Sequence, residues 1–320
     1  MPAAERLAAP LPRSPGKERP LRFAGLGLLV IVAAAILAPG CGSKRTSSTL
    51  DPLLAQGWQA YSTGDFDFAA ECFRGVQTTQ RATADQTYSA ILGLATVYHL
   101  QSNPDFGKAR EYYALLAGLN TENARKQSAL GLARVDVAEG KDADGRSKLA
   151  AVMRDYPDST EADEAVVHLA ESLFAPRADE AKPGGFGIAG DASMERGLKL
   201  LEDRLSARPR NPLASAMHMM LANKYIELKR FDKALENLLA AEKDGIAVDR
   251  LRSVVVWRVA RIAEQQLKDY ALAERYYQRY VDDFGRTVLY YRALTSLERV
   301  RALMGKEGAQ QGKAEPSKGT

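Results

Sequence analysis

The chain has 320 residues, 44 Lys and Arg against 40 Asp and Glu, and a formal net charge of +4. Five basic and two acidic residues fall in the first 41, so the remainder carries only about +1 with mixed signs, which removes the electrostatic footprint of a nucleic-acid binder. Two Cys and three scattered His exclude a disulfide framework and offer no Ser-His-Asp or Cys-His arrangement.

Residues 1–22 are Pro-rich and basic, and residues 23–38 form an uncharged, almost wholly apolar run that ends at Pro39-Gly40-Cys41-Gly42-Ser43. A basic segment, an apolar segment and small residues in that order make an export signal. The Cys after the small residues resembles the bacterial lipoprotein signal, which implies that Cys41 is acylated and becomes the mature N-terminus. The pattern departs from that signal at Ala38, where Leu is usual, and at Pro39. A second reading is an uncleaved single-span anchor. The run of 16 residues is short for a spanning helix, which needs about 20, and reaches the borderline with 39–41 included. Both readings put the rest of the chain outside the cytoplasm, because the basic flank stays inside. Gly42, where an inner-membrane retention signal has Asp, implies an outer-membrane lipoprotein. Residues 1–41 are thus read as signal or anchor and 42–50 as a short tether.

Beyond the tether one figure recurs: an aromatic residue, Ala three residues on, and an aromatic or Leu four further. It reads Phe66, Ala69, Phe73, then Phe106, Ala109, Tyr113, then Phe231, Ala234, Leu238 and Tyr270, Ala273, Tyr277, with degenerate forms at Asp142, Gly145, Leu149 and around Gly197 and Leu201. Spacings of three and four put the side chains on one helix face, with a small residue admitting a neighbouring helix. A second helix with its own small residues precedes most figures: Leu92-Gly93-Leu94-Ala95, Leu130-Gly131-Leu132-Ala133, Leu221-Ala222, and Trp257 with Ala260. Gly64-Asp65, Asn103-Pro104-Asp105, Gly140-Lys141-Asp142 and Lys268-Asp269 supply the turns. The pattern resembles the tetratricopeptide repeat (TPR) over roughly residues 50–304. The fold expected is therefore all-α, a TPR-like right-handed superhelix of about five to six antiparallel helix pairs with a C-terminal capping helix.

The small residues at 69, 109, 145, 197, 234 and 273 are spaced by 40, 36, 52, 37 and 39, and the step of 52 requires an insertion. The expected organisation is N-terminal pairs over 51–175, an inserted Gly- and Pro-containing loop over 176–193, C-terminal pairs and cap over 194–304, and an unstructured tail over 305–320. Gly185-Phe186-Gly187-Ile188-Ala189-Gly190 fits the dinucleotide fingerprint by letter, but residues 178–183 before it are charged and turn-like where a strand is needed. Glu164, His168 and Glu171 share a helix face with the geometry of metal ligands. A second His or Cys nearby is lacking, and a solvated face accounts for them. No catalytic residue, metal or cofactor is assigned, and the chain reads as a non-enzyme.

What remains is surface. The first helix of each TPR pair lines the concave groove, so the resemblance places Trp58, Tyr61, Met219, Asn223, Glu227, Arg258 and Ile262 there as partner contacts. Trp58 and Tyr61 have the alternative of packing on the second helix of their own pair, and Tyr276 and Tyr290 are candidates for a contact patch among the C-terminal aromatics. Tyr156-Pro157-Asp158-Ser159 looks like the link between repeats in exported envelope proteins, such as outer-membrane assembly lipoproteins of the BamD type and the TolA-binding coordinator. These features together read as a periplasm-facing, membrane-anchored, non-catalytic scaffold. It binds other envelope proteins or peptides through its groove, with no nucleic acid and no small-molecule substrate. The alternatives are a single-span inner-membrane accessory subunit of a secretion or division machine and an envelope enzyme.

Overall fold

The computed structural model describes residues 50–175 and 191–314. The signal or anchor with Cys41, the tether up to residue 49, the glycine-rich 185–190 and the last six residues lie outside them. Among the described residues there are thirteen α-helices: α1 Leu50–Thr63, α2 Phe66–Gln77, α3 Ala84–Leu100, α4 Phe106–Ala117, α5 Glu122–Glu139, α6 Asp142–Asp155, α7 Thr160–Phe174, α8 Asp191–Ala207, α9 Ala214–Glu227, α10 Phe231–Asp244, α11 Asp249–Ile262, α12 Tyr270–Asp283 and α13 Tyr290–Ala314. A π-helical turn, Ala263–Leu267, prolongs α11. None of these helices is long and apolar enough to cross a membrane.

The helix ends follow local chemistry. Asp65, Asp105 and Asp269 precede α2, α4 and α12 and accept from backbone N–H groups of the first turn. Thr83 and Gln86 form a reciprocal capping box at the start of α3. Gly140 stops α5 at φ 90°, a conformation that costs glycine nothing. Asp65, Asp105, Gly140 and Asp269 are among the turn positions that the sequence marks.

Each helix packs on its sequence neighbours, giving six antiparallel pairs, α1/α2 through α11/α12, capped by α13. The recurring figure forms the seams. Its small residues at 69, 109, 234 and 273 are fully buried, as are Phe73, Leu149, Leu201, Leu238 and Tyr277, while each leading aromatic is half-buried. Phe73 shows why the small residues are needed. A Cβ on Gly57 would lie 2.7 Å from its ring on one side, and a Cβ on Gly93 would lie 2.6 Å from it on the other. The ring therefore wedges between α1 and α3. This is a TPR-like superhelix, as the pattern predicts.

Among the described residues, the odd-numbered helices α1, α3, α5 and α7 also contact one another in series, whereas the even-numbered ones make no comparable contacts. A stack closer on one side bends toward that side, so the odd-numbered helices form the inner layer. In the C-terminal half, α9 and α11 are bridged by a hydrogen bond from Arg258 to Asn223 Oδ1.

Two boundaries differ from expectation. Helix α8 begins at Asp191, within the stretch assigned to the insertion. Helix α13 continues through 305–314, which the composition assigns to the tail. Lys306, Glu307, Ala309, Gln310 and Gln311 are good helix formers, and no proline intervenes before Pro316.

Candidate functional site

The groove residues expected from the sequence sort by exposure. Trp58 is half-buried. Its indole N–H donates to Ser89 Oγ at 3.1 Å, and its ring meets Phe73 at 5.0 Å and Tyr61 at 5.9 Å, edge to face. Its polar atom is therefore satisfied within the first pairs. Tyr61 is also half-buried, against Phe66, and burial raises its phenol pKa. Met219 and Asn223 are half-buried on α9, and Glu227 is exposed beside Lys224 at 2.9 Å. Ile262 is 7 % exposed and belongs to the core, so it leaves the set of surface contacts. It sits where α11 passes into the π turn and faces inward.

Arg258 is the most informative of these. Burial lowers its pKa, with no opposing carboxylate, and among the described residues Asn223 is its hydrogen-bond partner. A partly desolvated cation beside an amide is ready for an anionic or acceptor group from outside.

The sequence missed a second constellation, centred on Arg134 of α5. Gly131, one turn earlier, lies so close to the Tyr113 ring that a Cβ would sit 2.1 Å from it. Residues three apart share a face, so Arg134 follows on toward that ring. The Tyr113 ring lies 6.4 Å from that of His99 on α3. The Arg134 charge acts on Tyr61, His99, Tyr113, Glu164 and His168, which come from α1, α3, α4 and α7. One guanidinium thus touches four helices electrostatically, three of them in the inner layer.

Burial dominates the acid–base properties of this cluster. His99 is 4 % exposed, and burial, reinforced by Arg134 and His168, lowers its pKa to about 3, so the ring is neutral. Its Nδ1 is buried without a hydrogen-bond partner. Burial raises the Glu164 carboxyl despite the pull of Arg134. Burial lowers His168, which pairs with Glu171 at 3.1 Å. Glu164 is 6 % exposed, so the solvated face expected for Glu164, His168 and Glu171 is corrected at Glu164, which is buried, while His168 and Glu171 stay partly exposed. Among the described residues, no three of His, Cys, Asp and Glu converge on a metal-sized site.

Other polar groups hold the stack together. Asp163 on α7 is fully buried and meets Arg204 and Arg208, which come from α8 and the turn after it, at 2.5 and 3.1 Å. Tyr276, expected in a contact patch, is 8 % exposed and donates to Glu242 Oε2 at 2.8 Å, tying α12 to α10. Tyr290 is half-buried, and its neighbour Tyr291 is 78 % exposed. Arg299 of the capping helix α13 reaches back with two bonds to the buried Glu264 of the π turn, at 2.7 and 3.0 Å.

No protein-family model and no curated protein matches this sequence. Solved structures similar to it include the apo form of RapI, 12 % identical, covering 82 % of this chain and 73 % of that one, with a TM-score of 0.47. Another is an assembly chaperone of RpL4, Acl4, 16 % identical, covering 83 % and 100 %, at 0.41. A third is the TPR domain of P58(IPK), 16 % identical, covering 82 % and 68 %, at 0.32. At these scores the repeat architecture rests on the packing of this chain itself.

Proposed function

We propose that this chain is a non-catalytic scaffold, anchored at the bacterial cell envelope and facing the periplasm, whose inner helix layer binds an extended segment or a helix of a protein partner. The observation that carries the reading is this layer itself. Helices α1, α3, α5 and α7 form one continuous face, and the Arg134 and Arg258 positions place cations on the odd-numbered helices without a carboxylate in ion-pair contact among the described residues. A stacked, pre-ordered face lowers the ordering cost of capturing a flexible segment. The leader supports the location: a basic segment, an apolar run and Cys41 form an export signal. The proposed attachment is acylation of Cys41, with an outer-membrane destination.

Mild crosslinking in intact cells, then purification of the tagged chain, tests the partner claim. Arg258→Glu is expected to deplete one reproducible envelope protein, and unchanged recovery would remove Arg258 from the binding face. A single-span inner-membrane subunit is the second reading, favoured by Ala38 and Pro39 before Cys41. Metabolic labelling with a fatty acid separates the two. Label on wild type that is lost in Cys41→Ser supports the lipoprotein, and unlabelled wild type that stays in the membrane supports the span.

A further inference from the structure

The turn that joins α12 to the capping helix α13 holds the two most exposed large apolar side chains among the described residues. Val288 is 96 % exposed and Tyr291 78 %, whereas the next, Leu115, reaches 51 %. Leu289 and Tyr290 between them are half-buried, and the Tyr290 and Tyr291 rings meet edge to face at 5.3 Å. The turn is pinned in this shape. The Thr287 N–H donates to the Phe284 carbonyl and the Tyr290 N–H to the Thr287 carbonyl, both at 3.1 Å, so Val288 and Leu289 are the corner residues. The Thr287 hydroxyl donates to the Phe284 carbonyl at 2.8 Å and accepts from the hydroxyl of the buried Tyr280, also at 2.8 Å. Single exposed apolar residues are ordinary, but four in succession on a fixed turn mark a contact.

The charges around the turn narrow what it touches. Arg286 before it and Arg292 after it are exposed, and among the described residues neither makes a hydrogen bond or an ion pair. The nearby acids are engaged along α12: Asp283 pairs with Arg279 at 3.4 Å, and Asp282 accepts from Gln278 at 2.8 Å. A side chain as exposed as Val288 projects from the surface, so this turn is the inserting side of the contact. In a bilayer, aliphatic side chains sit among the acyl chains, tyrosines at headgroup level, and arginines against anionic headgroups. The turn carries all three kinds of group together.

We propose that the α12–α13 turn is a membrane-contact tip: Val288 enters one leaflet, Tyr290 and Tyr291 lie at headgroup level, and Arg286 and Arg292 meet anionic lipid phosphates. The tip goes beyond the scaffold reading and gives the chain a second attachment, more than two hundred residues from the leader. A single weak membrane signal gives marginal binding, and two together hold a chain stably. None of the tip residues belongs to the leader or to the inner-layer contacts, so each reading can fail without the other.

An environment-sensitive fluorescent amino acid at position 288 of the full chain, reconstituted into vesicles, tests the tip. A second protein carries it at the exposed Val248, just before α11. Lipids brominated in their acyl chains are the quencher. Quenching at 288 and not at 248 is expected in phosphatidylcholine vesicles holding about 30 % phosphatidylglycerol. The ratio of inserted to free label should fall at least about fivefold when Arg286→Gln and Arg292→Gln are combined, or when phosphatidylglycerol is omitted. A chain that floats with the vesicles while label at 288 stays unquenched would overturn the tip and leave the leader standing. A chain held only through a quenched 288 would support the tip and remove the leader as the attachment. Equal quenching at 248 and 288 would overturn the tip as the point of contact. A photoreactive amino acid at Tyr291 in intact cells gives an independent reading. Lipid adducts are expected, and a discrete protein adduct without lipid would assign the turn to a protein partner and overturn the proposal. Every substituted position is exposed, and far-UV circular dichroism checks that each variant is folded.

Discussion

Replacing Gly131 by Ala places a methyl carbon 2.1 Å from Tyr113 Cε1 and 2.4 Å from Cδ1 and Cζ. Carbon atoms in ordinary contact stand about 3.5–4.0 Å apart, so α4 and α5 must separate by roughly 1.5 Å or Tyr113 must leave its rotamer. The ring has little room to yield. It is 2 % exposed, His99 lies on another side of it, and the Tyr113 carbonyl accepts from Ser128 Oγ at 2.7 Å. Overpacking of this kind costs about 1–3 kcal/mol, and this overlap belongs in the upper part of that range. The higher helix propensity of Ala returns up to about 1 kcal/mol. The expected net loss is therefore about 1–2 kcal/mol, read as a lower urea midpoint in far-UV circular dichroism. Because each pair contacts only its neighbours, hydrogen exchange should quicken in α4–α6 and stay unchanged in α12 and α13. Gly107→Ala is the control, since its Cβ would meet only Asp105 Oδ1, at 3.4 Å, and no loss is expected. A Gly131→Ala protein as stable as wild type would refute the close approach of α4 and α5 on which the stack is built.

Asp163→Ala leaves Arg204, whose side chain is 12 % exposed, without its carboxylate. Removing one partner of so buried a pair should cost about 3 kcal/mol and loosen α8 from α7 in hydrogen exchange. Ala273→Arg forces a charge into a fully buried helix contact and should unfold or loosen α11–α13, and a variant melting like wild type would contradict the register there. Glu264 supplies a pH test. Burial alone would raise its carboxyl, but the bonds from Arg299 and Tyr277 outweigh burial and hold it below the ordinary 4.5. A depressed folded value contributes stability above the unfolded pKa and loses it as pH falls through the folded one. The C-terminal helices should therefore open as pH drops below about 4.5, and Glu264→Gln should flatten that dependence.

The repeat was legible because its physics is local. A small residue between two bulky ones at helical spacing specifies a close helix crossing, and Asp, Thr, Ser and Gly mark the caps, so the pairs and their order can be read along the chain. The inner face was harder to read. Position along an inner helix does not say whether a side chain turns to solvent, which is why Ile262 and Tyr276 were expected outside and lie inside. Arg134 was missed because a single charge after Leu130-Gly131-Leu132-Ala133 looks like ordinary helix surface. The corresponding run in α3, Leu92-Gly93-Leu94-Ala95, leads into Thr96. That exchange of an uncharged residue for a cation within an otherwise parallel register was the available signal. Glu164 and His99 come under its charge only through stacking of α3, α5 and α7, a relation between residues up to 65 positions apart that no local pattern encodes.

Site-specific photocrosslinking in the native envelope tests the central claim most directly. A photoreactive amino acid is placed in turn at inner-layer Met219 and Asn223 and at the exposed Glu236 of α10 in the outer layer. The scaffold reading predicts one discrete protein adduct from the inner positions and none from the outer one, with the inner adduct weakened by Arg258→Glu. Adducts from the outer position alone, or equal adducts from both faces, would contradict the inner layer as the binding face.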